Sequence, residues 1–401
     1  MTDPTTLGQE AAHWLKRLEA CSEDGPGVTR LPFTPQHRAA LDVLRDLYAS
    51  AGLETHLDAA GTLVGRRGDG PALLMGSHQD SVRSGGAYDG IMGVVLPALA
   101  VKHAKDLPIA VEVLAFADEE GVRFPTALVG SRALSGRVPP DALAMQDSSG
   151  ISMAAAMEGF GLAPAKVPSL ARDPTTVLGY LETHIEQGPV LETAGEALGV
   201  VTAICGIERH SVTFTGQAGH AGTLPMEGRR DALTGAAALV TEVERLARNT
   251  PGLRGTVGEL HVFPNAVNAV PGAVRLTVEL RSADDAQRTA AGHELTTFAH
   301  EIARARGLTL DMARSYAQPA APCDQGMRGA LQAAVRRAGG KGLELPSGAT
   351  HDASAVADLC PMAMLFVRCR DGVSHVPEEY SSPEDMGLAI ATISDFISNL
   401  K

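Results

Sequence analysis

The chain has 401 residues, of which 44% are hydrophobic, 20% charged and 4% aromatic, and its formal net charge is −13. That length suits two domains rather than one core, and burial resting on Ala, Val and Leu suits an α/β core better than an all-β sandwich. The acidic balance, with no basic run or aromatic platform, argues against nucleic acid or anionic membranes as partners, but a locally positive pocket still admits a small anionic substrate.

The opening MTDPTTLGQEAAHWLKRLEA is acidic and amphipathic, unlike a secretory leader. No apolar run reaches membrane-spanning length. Five scattered cysteines without a Cys-x-x-Cys pair read as reduced thiols, and a cytoplasmic location is expected. Residues 35–50 read as a helix, with Leu41, Leu44 and Leu47 or Tyr48 on one face and Gly52 as the stop. PALLMGS (71–77) predicts a buried strand running into His78, and 93–106 a helix. VEVLAFAD (111–118) predicts a second buried strand ending in carboxylates, VLGYLET (177–183) a third ending at His184, and AMLFVR (363–368) a fourth shortly before His375. Continuous apolar strands separated by helices predict an α/β fold, a mixed sheet flanked by helices. Polar residues crowd the carboxyl ends of those strands, where such sheets place their active sites.

From about 209 to 322 the texture changes. HSVTFTG and GAVRLTVELRS alternate apolar and polar residues, as half-exposed antiparallel strands do, while 229–250 and 284–307 read as helices. The expected organisation is a discontinuous catalytic domain, 1–208 and 323–401, with an α+β domain inserted at 209–322.

Chemistry concentrates in GSHQDSVRSGGAYDG, ADEEGVRF, ETHIEQGP and GVSHVPEE. A strand-end His presents one ring nitrogen to a metal and needs an acceptor for the other. Asp80, two residues beyond His78, is placed for that supporting role. Asp89 follows a Gly-Gly turn, and its two oxygens suit it to bridge two cations. Adjacent carboxylates at a strand end point differently, so one binds metal while its neighbour moves protons. We assign Glu120 as ligand and Glu119 as base, although spacing permits the reverse. With His184 and His375 these residues form a candidate metal site.

Beyond these pieces, GSHQDSVRSGGAYDGIMGV, DEEGVRF, HIEQGPVLE, GQAGHAGTLPMEGRRDAL, PNAVNAVPG, SGATHDA and SHVPEE occur in this order. The set resembles the N-carbamoyl-L-amino-acid amidohydrolases, β-ureidopropionases and allantoate amidohydrolases, within the aminoacylase and carboxypeptidase-G group of di-metal hydrolases. The resemblance runs from near residue 30 to near 385. It implies one metal held by His78, Asp89 and His184, and a second by Asp89, Glu120 and His375. Three protein ligands per ion leave the open position of a catalytic site, and N/O ligands admit Zn, Mn, Co or Ni. The resemblance makes Glu119 the base. It makes the insert a lid and dimerisation domain, with His220 reaching the active site, commonly that of the partner subunit in a homodimer, as oxyanion stabiliser. Gln187, Asn268 and Arg281 match substrate contacts, a planar guanidinium being suited to a carboxylate. His351 and Asp352 match a supporting His-Asp pair.

The expected reaction is hydrolysis of the carbamoyl or ureido C–N bond of a small anionic ureido acid. Two rivals are an N-acyl amino acid amidohydrolase or dipeptidase on the same metals, and a non-catalytic binding protein on this fold. Thr62, Thr350, Arg368, Cys369 and Glu279 depart from the family pattern, and the changes at 349–350 and 368–370 are candidates for the substrate pocket.

Overall fold

Strands that show no alternation of burial form the centre of the first sheet. In the computed structural model, which describes residues 3–104 and 106–400, two helices, Pro4–Glu19 and Pro35–Ser50, precede β1 (Glu54–Leu57), β2 (Leu63–Arg67), β3 (Ala72–His78) and β4 (Ala110–Phe116), continued by β5 (Val177–Ile185) and β6 (Leu198–Ile204). Every residue of β3 and β4 is buried, as expected where both faces of a sheet are covered. The chain then forms β7 (Gly206–Thr215), β8 (Gly219–His220), β9 (Arg254–Phe263), β10 (Ala269–Val270), β11 (Ala273–Ser282), β12 (Thr309–Gln318) and β13 (Ala321–Pro322). It returns with β14 (Leu343–Ser347) and β15 (Met362–Val367). Two compact units result. One runs up to Thr202 and resumes at Cys323, and the other is Ala203–Pro322.

In the first unit the sheet order is β1-β2-β4-β3-β5-β15-β6. The pairs β3–β4, β3–β5 and β5–β15 are parallel, whereas β2–β4 and β15–β6 are antiparallel. Parallel neighbours bring their carboxyl ends to one edge, and the register sets His78 beside Phe116 and His184 beside Phe366. The helix Met92–His103 is buried from Met92 to Val101. It lies close on β5 because position 93 is glycine: a Cβ there would stand 2.0 Å from the Thr183 carbonyl oxygen. The helix Pro35–Ser50 buries Leu41, Leu44, Leu47 and Tyr48, and the Thr34 hydroxyl caps it by accepting from the His37 N–H at 3.2 Å. The helix Pro383–Asn399 buries Met386, Ile390, Ile393 and Ile397, one face at helical spacing.

The second unit is a separate antiparallel sheet, β12-β7-β11-β9. Along β11, Val274, Leu276, Val278 and Leu280 are buried and alternate with more exposed residues. They pack with Leu239 and Val243 of the helix Ala232–Asn249 and with Leu295 and Ala299 of the helix Asp285–Ala305. The predicted boundary at 209 falls inside β7. That strand already pairs with β11 at Gly206, opposite Ser282, so the insertion begins at Ala203. The five cysteines are buried free thiols. Among the described residues no helix is long and apolar enough to cross a membrane.

Candidate metal centre

Strand ends deliver most of the site. His78 closes β3, His184 sits one residue from the end of β5, and Asp118–Glu120 follow β4. Asp89 lies in the loop before the helix Met92–His103, and its two oxygens face different histidines. Oδ1 is 3.1 Å from His184 Nε2 and 3.8 Å from His78 Nε2, while Oδ2 is 3.1 Å from His375 Nε2. Glu119 Oε2 stands 3.9 Å from His78 Nε2, and Glu120 Oε1 3.9 Å from His375 Nε2. The donors fall into overlapping sets: His78, Asp89 and His184; Asp89, Glu120 and His375; and His78, Glu119 and Glu120. Except for His375, which is half exposed, these groups are buried or nearly so.

The backbone is bent to bring them together. Asp118, Gln187 and His375 hold left-handed φ values of 60°, 56° and 61°, unusual for side-chain-bearing residues and concentrated here at loops beside strand ends. Gly90 has φ 63°, and a Cβ on it would meet the His78 ring at 2.3 Å. Only glycine lets that loop pass the imidazole.

Asp80 meets the His78 ring through its backbone. His78 Nδ1 lies 2.9 Å from the Asp80 backbone carbonyl and 3.9 Å from its carboxylate. The carbonyl is the acceptor, because the chain turns back at the strand end. His184 repeats the arrangement, with Nδ1 2.9 Å from the Ile185 carbonyl. In both rings Nδ1 donates to a backbone carbonyl, which leaves Nε2 facing Asp89. The Asp80 carboxylate instead accepts the N–H groups of Glu119 and Glu120, at 3.1 and 3.2 Å, and so fixes the backbone of the carboxylate pair.

His351 stacks edge-on against His184 with ring centroids 4.5 Å apart, and its Nε2 meets Ser347 Oγ at 2.7 Å. Asp352, wholly buried, begins the helix Asp352–Val356. Two carboxylates escaped the sequence reading although both stand inside motifs it used. Glu182 accepts from the Ser77 hydroxyl and the Ala353 N–H, each at 2.7 Å. Glu379 accepts from the Tyr88 and Asp89 N–H groups at 3.0 and 2.9 Å. Arg368 and Cys369 are structural. The guanidinium grips both Asp385 oxygens at 2.9 Å, and the buried thiol faces the Gly188 carbonyl at 3.8 Å.

Electrostatically the site is short of positive charge. Burial, then Glu120 and other neighbouring acids, push the Glu119 carboxyl well above the usual range. Burial, then Asp89 and Asp80, push Glu120 up to about 8. Asp118 and Asp352 are also raised, chiefly by burial. Asp89 goes the other way. Against the cost of burial, hydrogen bonds from His184 and His375 hold it well below the ordinary value. His375 rises to about 9 on its bond to Asp89, and His184 reaches about 9 because the same carboxylate outweighs burial. Glu120 Oε1 is buried without a hydrogen-bond partner. Carboxylates and imidazoles clustered in this way fit divalent cations with N/O preference.

The inserted unit carries the other predicted residues. His220 Nδ1 accepts the N–H groups of Gly222 and Thr223 at 3.1 and 3.2 Å, which leaves Nε2–H as an exposed donor. Asn268 lies beside it: β8 and β10 pair His220 with Ala269, and the Ala221 N–H donates to the Asn268 carbonyl at 2.8 Å. Arg281 is elsewhere. It sits eight residues along β11 from Ala273, the end that follows β10, a span of about 26 Å at strand rise. There Arg281 binds Glu279 Oε1 through Nε at 2.8 Å, while Arg209 takes Oε2 through its own Nε at 2.9 Å. Gln187 Nε2 lies 3.3 Å from both Asp89 oxygens and 3.1 Å from Ser374 Oγ.

Residues 74–399 match the family described as Peptidase family M20/M25/M40. An N-carbamoyl-L-amino acid amidohydrolase of Geobacillus stearothermophilus is 41% identical over 92% of this chain and 92% of its own. An allantoate deiminase of Arabidopsis thaliana is 38% identical over 98% of this chain and 82% of its own. Among solved structures, an amidase of the hydantoinase/carbamoylase family from Burkholderia multivorans superposes with a TM-score of 0.92 at 32% identity, covering 98% of this chain and 97% of that one.

Proposed function

Because the chain belongs to peptidase family M20/M25/M40, beside the N-carbamoyl amino acid amidohydrolases and allantoate deiminases, and is therefore an amidohydrolase of C–N bonds, we propose that it hydrolyses the carbamoyl or ureido bond of an N-carbamoyl-L-amino acid or related ureido acid. The observation that carries this reading is Asp89, whose two oxygens each meet a different imidazole at 3.1 Å amid buried acids. His78, Asp89 and His184 would hold one divalent cation, and Asp89, Glu120 and His375 another. Bound there, the cations supply Lewis acidity, which polarises the substrate carbonyl and lowers the pKa of water toward neutrality.

The chain's own residues do the rest. Glu119 takes a proton from the attacking water as its oxygen adds to the ureido carbon. It returns that proton to the departing nitrogen as the C–N bond breaks. The carbamate then decomposes to CO2 and ammonia, leaving the free amine. The Nε2–H of His220 donates to the developing oxyanion. Arg281 exchanges Glu279 for the substrate carboxylate, which it grips with two N–H groups, and Arg209 shares that carboxylate partner and adds charge beside it. Asn268 and Gln187 supply further polar contacts. Arg281 lies about 26 Å along β11 from the Ala273 end, which follows the β10 strand paired with His220, a run longer than one ureido acid spans. That separation supports a homodimer in which a second copy contributes His220 and Asn268.

Dialysis against a chelator followed by add-back of Zn, Mn, Co or Ni tests the reading, with ammonia release from N-carbamoyl amino acids, N-carbamoyl-β-alanine and allantoate as readout. Turnover persisting in metal-free protein would overturn it. Acid release from N-acyl amino acids in excess of ammonia release would favour the acylase alternative.

A further inference from the structure

One carboxylate outside the ligand set ties two ligand-bearing loops together. Glu379 is 4% exposed. Its Oε1 accepts from the Tyr88 and Asp89 N–H groups, and its Oε2 accepts from the Ser374 hydroxyl at 2.7 Å. The loop before Asp89 makes room for it. A Cβ on Gly86 would fall 2.0 Å from Glu379 Oε1, so glycine is what admits the carboxylate. On the other side, Ser374 immediately precedes His375, whose φ of 61° is held at a costly left-handed value.

The hydrogen bonds form a closed circuit. Gln187 Nε2 donates to Ser374 Oγ and to both Asp89 oxygens, Ser374 donates to Glu379, and Glu379 accepts the Asp89 N–H. Asp89 is thereby fixed at its backbone and its carboxylate by one ring of four residues. The same ring runs through the neighbour of His375. The tyrosines flanking the clasp, Tyr88 and Tyr380, pack edge-on with centroids 5.8 Å apart.

We propose that Glu379 is a positioning residue for the cation held by Asp89, Glu120 and His375: it sets the distance between the Asp89 and His375 loops without itself being a ligand. The inference rests on the two-cation reading above. Glu379 reaches the second cation's ligands twice, through the Asp89 backbone and through Ser374, but reaches the first cation's only through Asp89. Its loss should therefore fall unequally on the two sites.

Calorimetric titration of chelator-stripped protein with Zn2+ tests this, with His375→Ala as the reference for a lost second site. Wild type should take two equivalents. Glu379→Ala should keep the first affinity within a few-fold and weaken the second by about 10- to 100-fold, the range for removing a partner behind a ligand. Glu379→Gln, which keeps one acceptor oxygen, should fall between them. A folded Glu379→Ala protein, checked by circular dichroism, that binds both ions as wild type does, or loses both equally, overturns the proposal. If Glu379→Ala does not fold, Ser374→Ala decides, since it removes one arm only: a weakened second site supports the proposal and an unchanged one overturns it. Wild type that takes up no cation overturns the metal reading itself, and this proposal with it.

Discussion

Stripping the cations should make the first unit lose stability as pH rises from 7 to 9. Without cations Glu120 titrates at about 8 instead of 4.5, because burial and then Asp89 and Asp80 oppose its charge. A carboxyl whose folded pKa lies above its unfolded one binds more protons folded than unfolded between the two values, so stability falls as pH climbs through that window. At about 1.4 kcal/mol per unit, the rise from 4.5 to about 8 costs on the order of 5 kcal/mol over the whole window, of which the part above pH 7 is on the order of 1 kcal/mol. His184 and His375 act in the same direction. Their folded pKa of about 9 exceeds the ordinary 6.5, so their contribution is full below pH 6.5 and is lost as pH passes through 9. His37, His78 and His351 are lowered by burial, and their opposing gain is complete near pH 6.5. Starting at pH 7 therefore takes these three histidines out of the comparison. Bound cations would compensate the carboxylates and flatten the profile. Thermal midpoints of stripped and reloaded protein across this range measure the effect, each kcal/mol being worth roughly 2–4 °C. Buried thiols such as Cys323 and Cys360, raised to about 12 by burial, weaken both forms alike at the alkaline end, so the difference between the two curves is the quantity to follow. A stripped-protein midpoint that stays level with pH, or rises, refutes the reasoning.

Other perturbations follow from single contacts. Gly90→Ala would drive a methyl into the His78 ring and should lower Zn2+ affinity by about 10- to 100-fold in a protein that remains folded, as read by calorimetry and circular dichroism. Glu119→Gln should retain both cations and lose about 100-fold or more in kcat, and comparable turnover would move the base elsewhere. Mixing inactive Glu119→Gln and His220→Ala proteins should restore about a quarter of wild-type activity if His220 acts across a two-fold dimer, and none if it acts within one chain. Arg281→Lys should raise KM for ureido acids by about tenfold or more, the worth of a lost charged hydrogen bond, with kcat less affected.

The sequence was informative where periodicity and local chemistry decide structure. Leu41, Leu44 and Leu47 announce the helix Pro35–Ser50, and the buried runs ending at His78 and His184 announce strands whose carboxyl ends carry candidate ligands. What it hid depends on tertiary burial. Glu182 and Glu379 look like members of solvated charge runs, and only the folded chain turns them inward to hydroxyl and amide partners. Spacing marks Asp80 as the partner of His78 but does not say whether its carbonyl or its carboxylate meets the ring, and it is the carbonyl that does. Arg368 stood out as a departure near the pocket, yet its use is to grip Asp385 at the start of the last helix. The start of the insert was misplaced by six residues, since β7 begins before its alternation becomes visible.

The pairing of β5 with β15 sets Thr183 beside Leu365, across the whole inserted unit. On a ribosome this has a consequence in time. His78, Asp89, Glu120 and His184 are all made before the insert, whereas His375 is made after it. At about 5–20 residues per second, the interval between His184 and His375 is on the order of 10–40 s. Through that interval the nascent chain carries the acids of the socket without the imidazole that completes it, and β5 waits for the neighbour that will occupy its open edge. A chain released early would hold most of the proposed ligands and none of the closure. On this order of synthesis, the proposed site is complete only once His375 is made, after the insert that divides the domain.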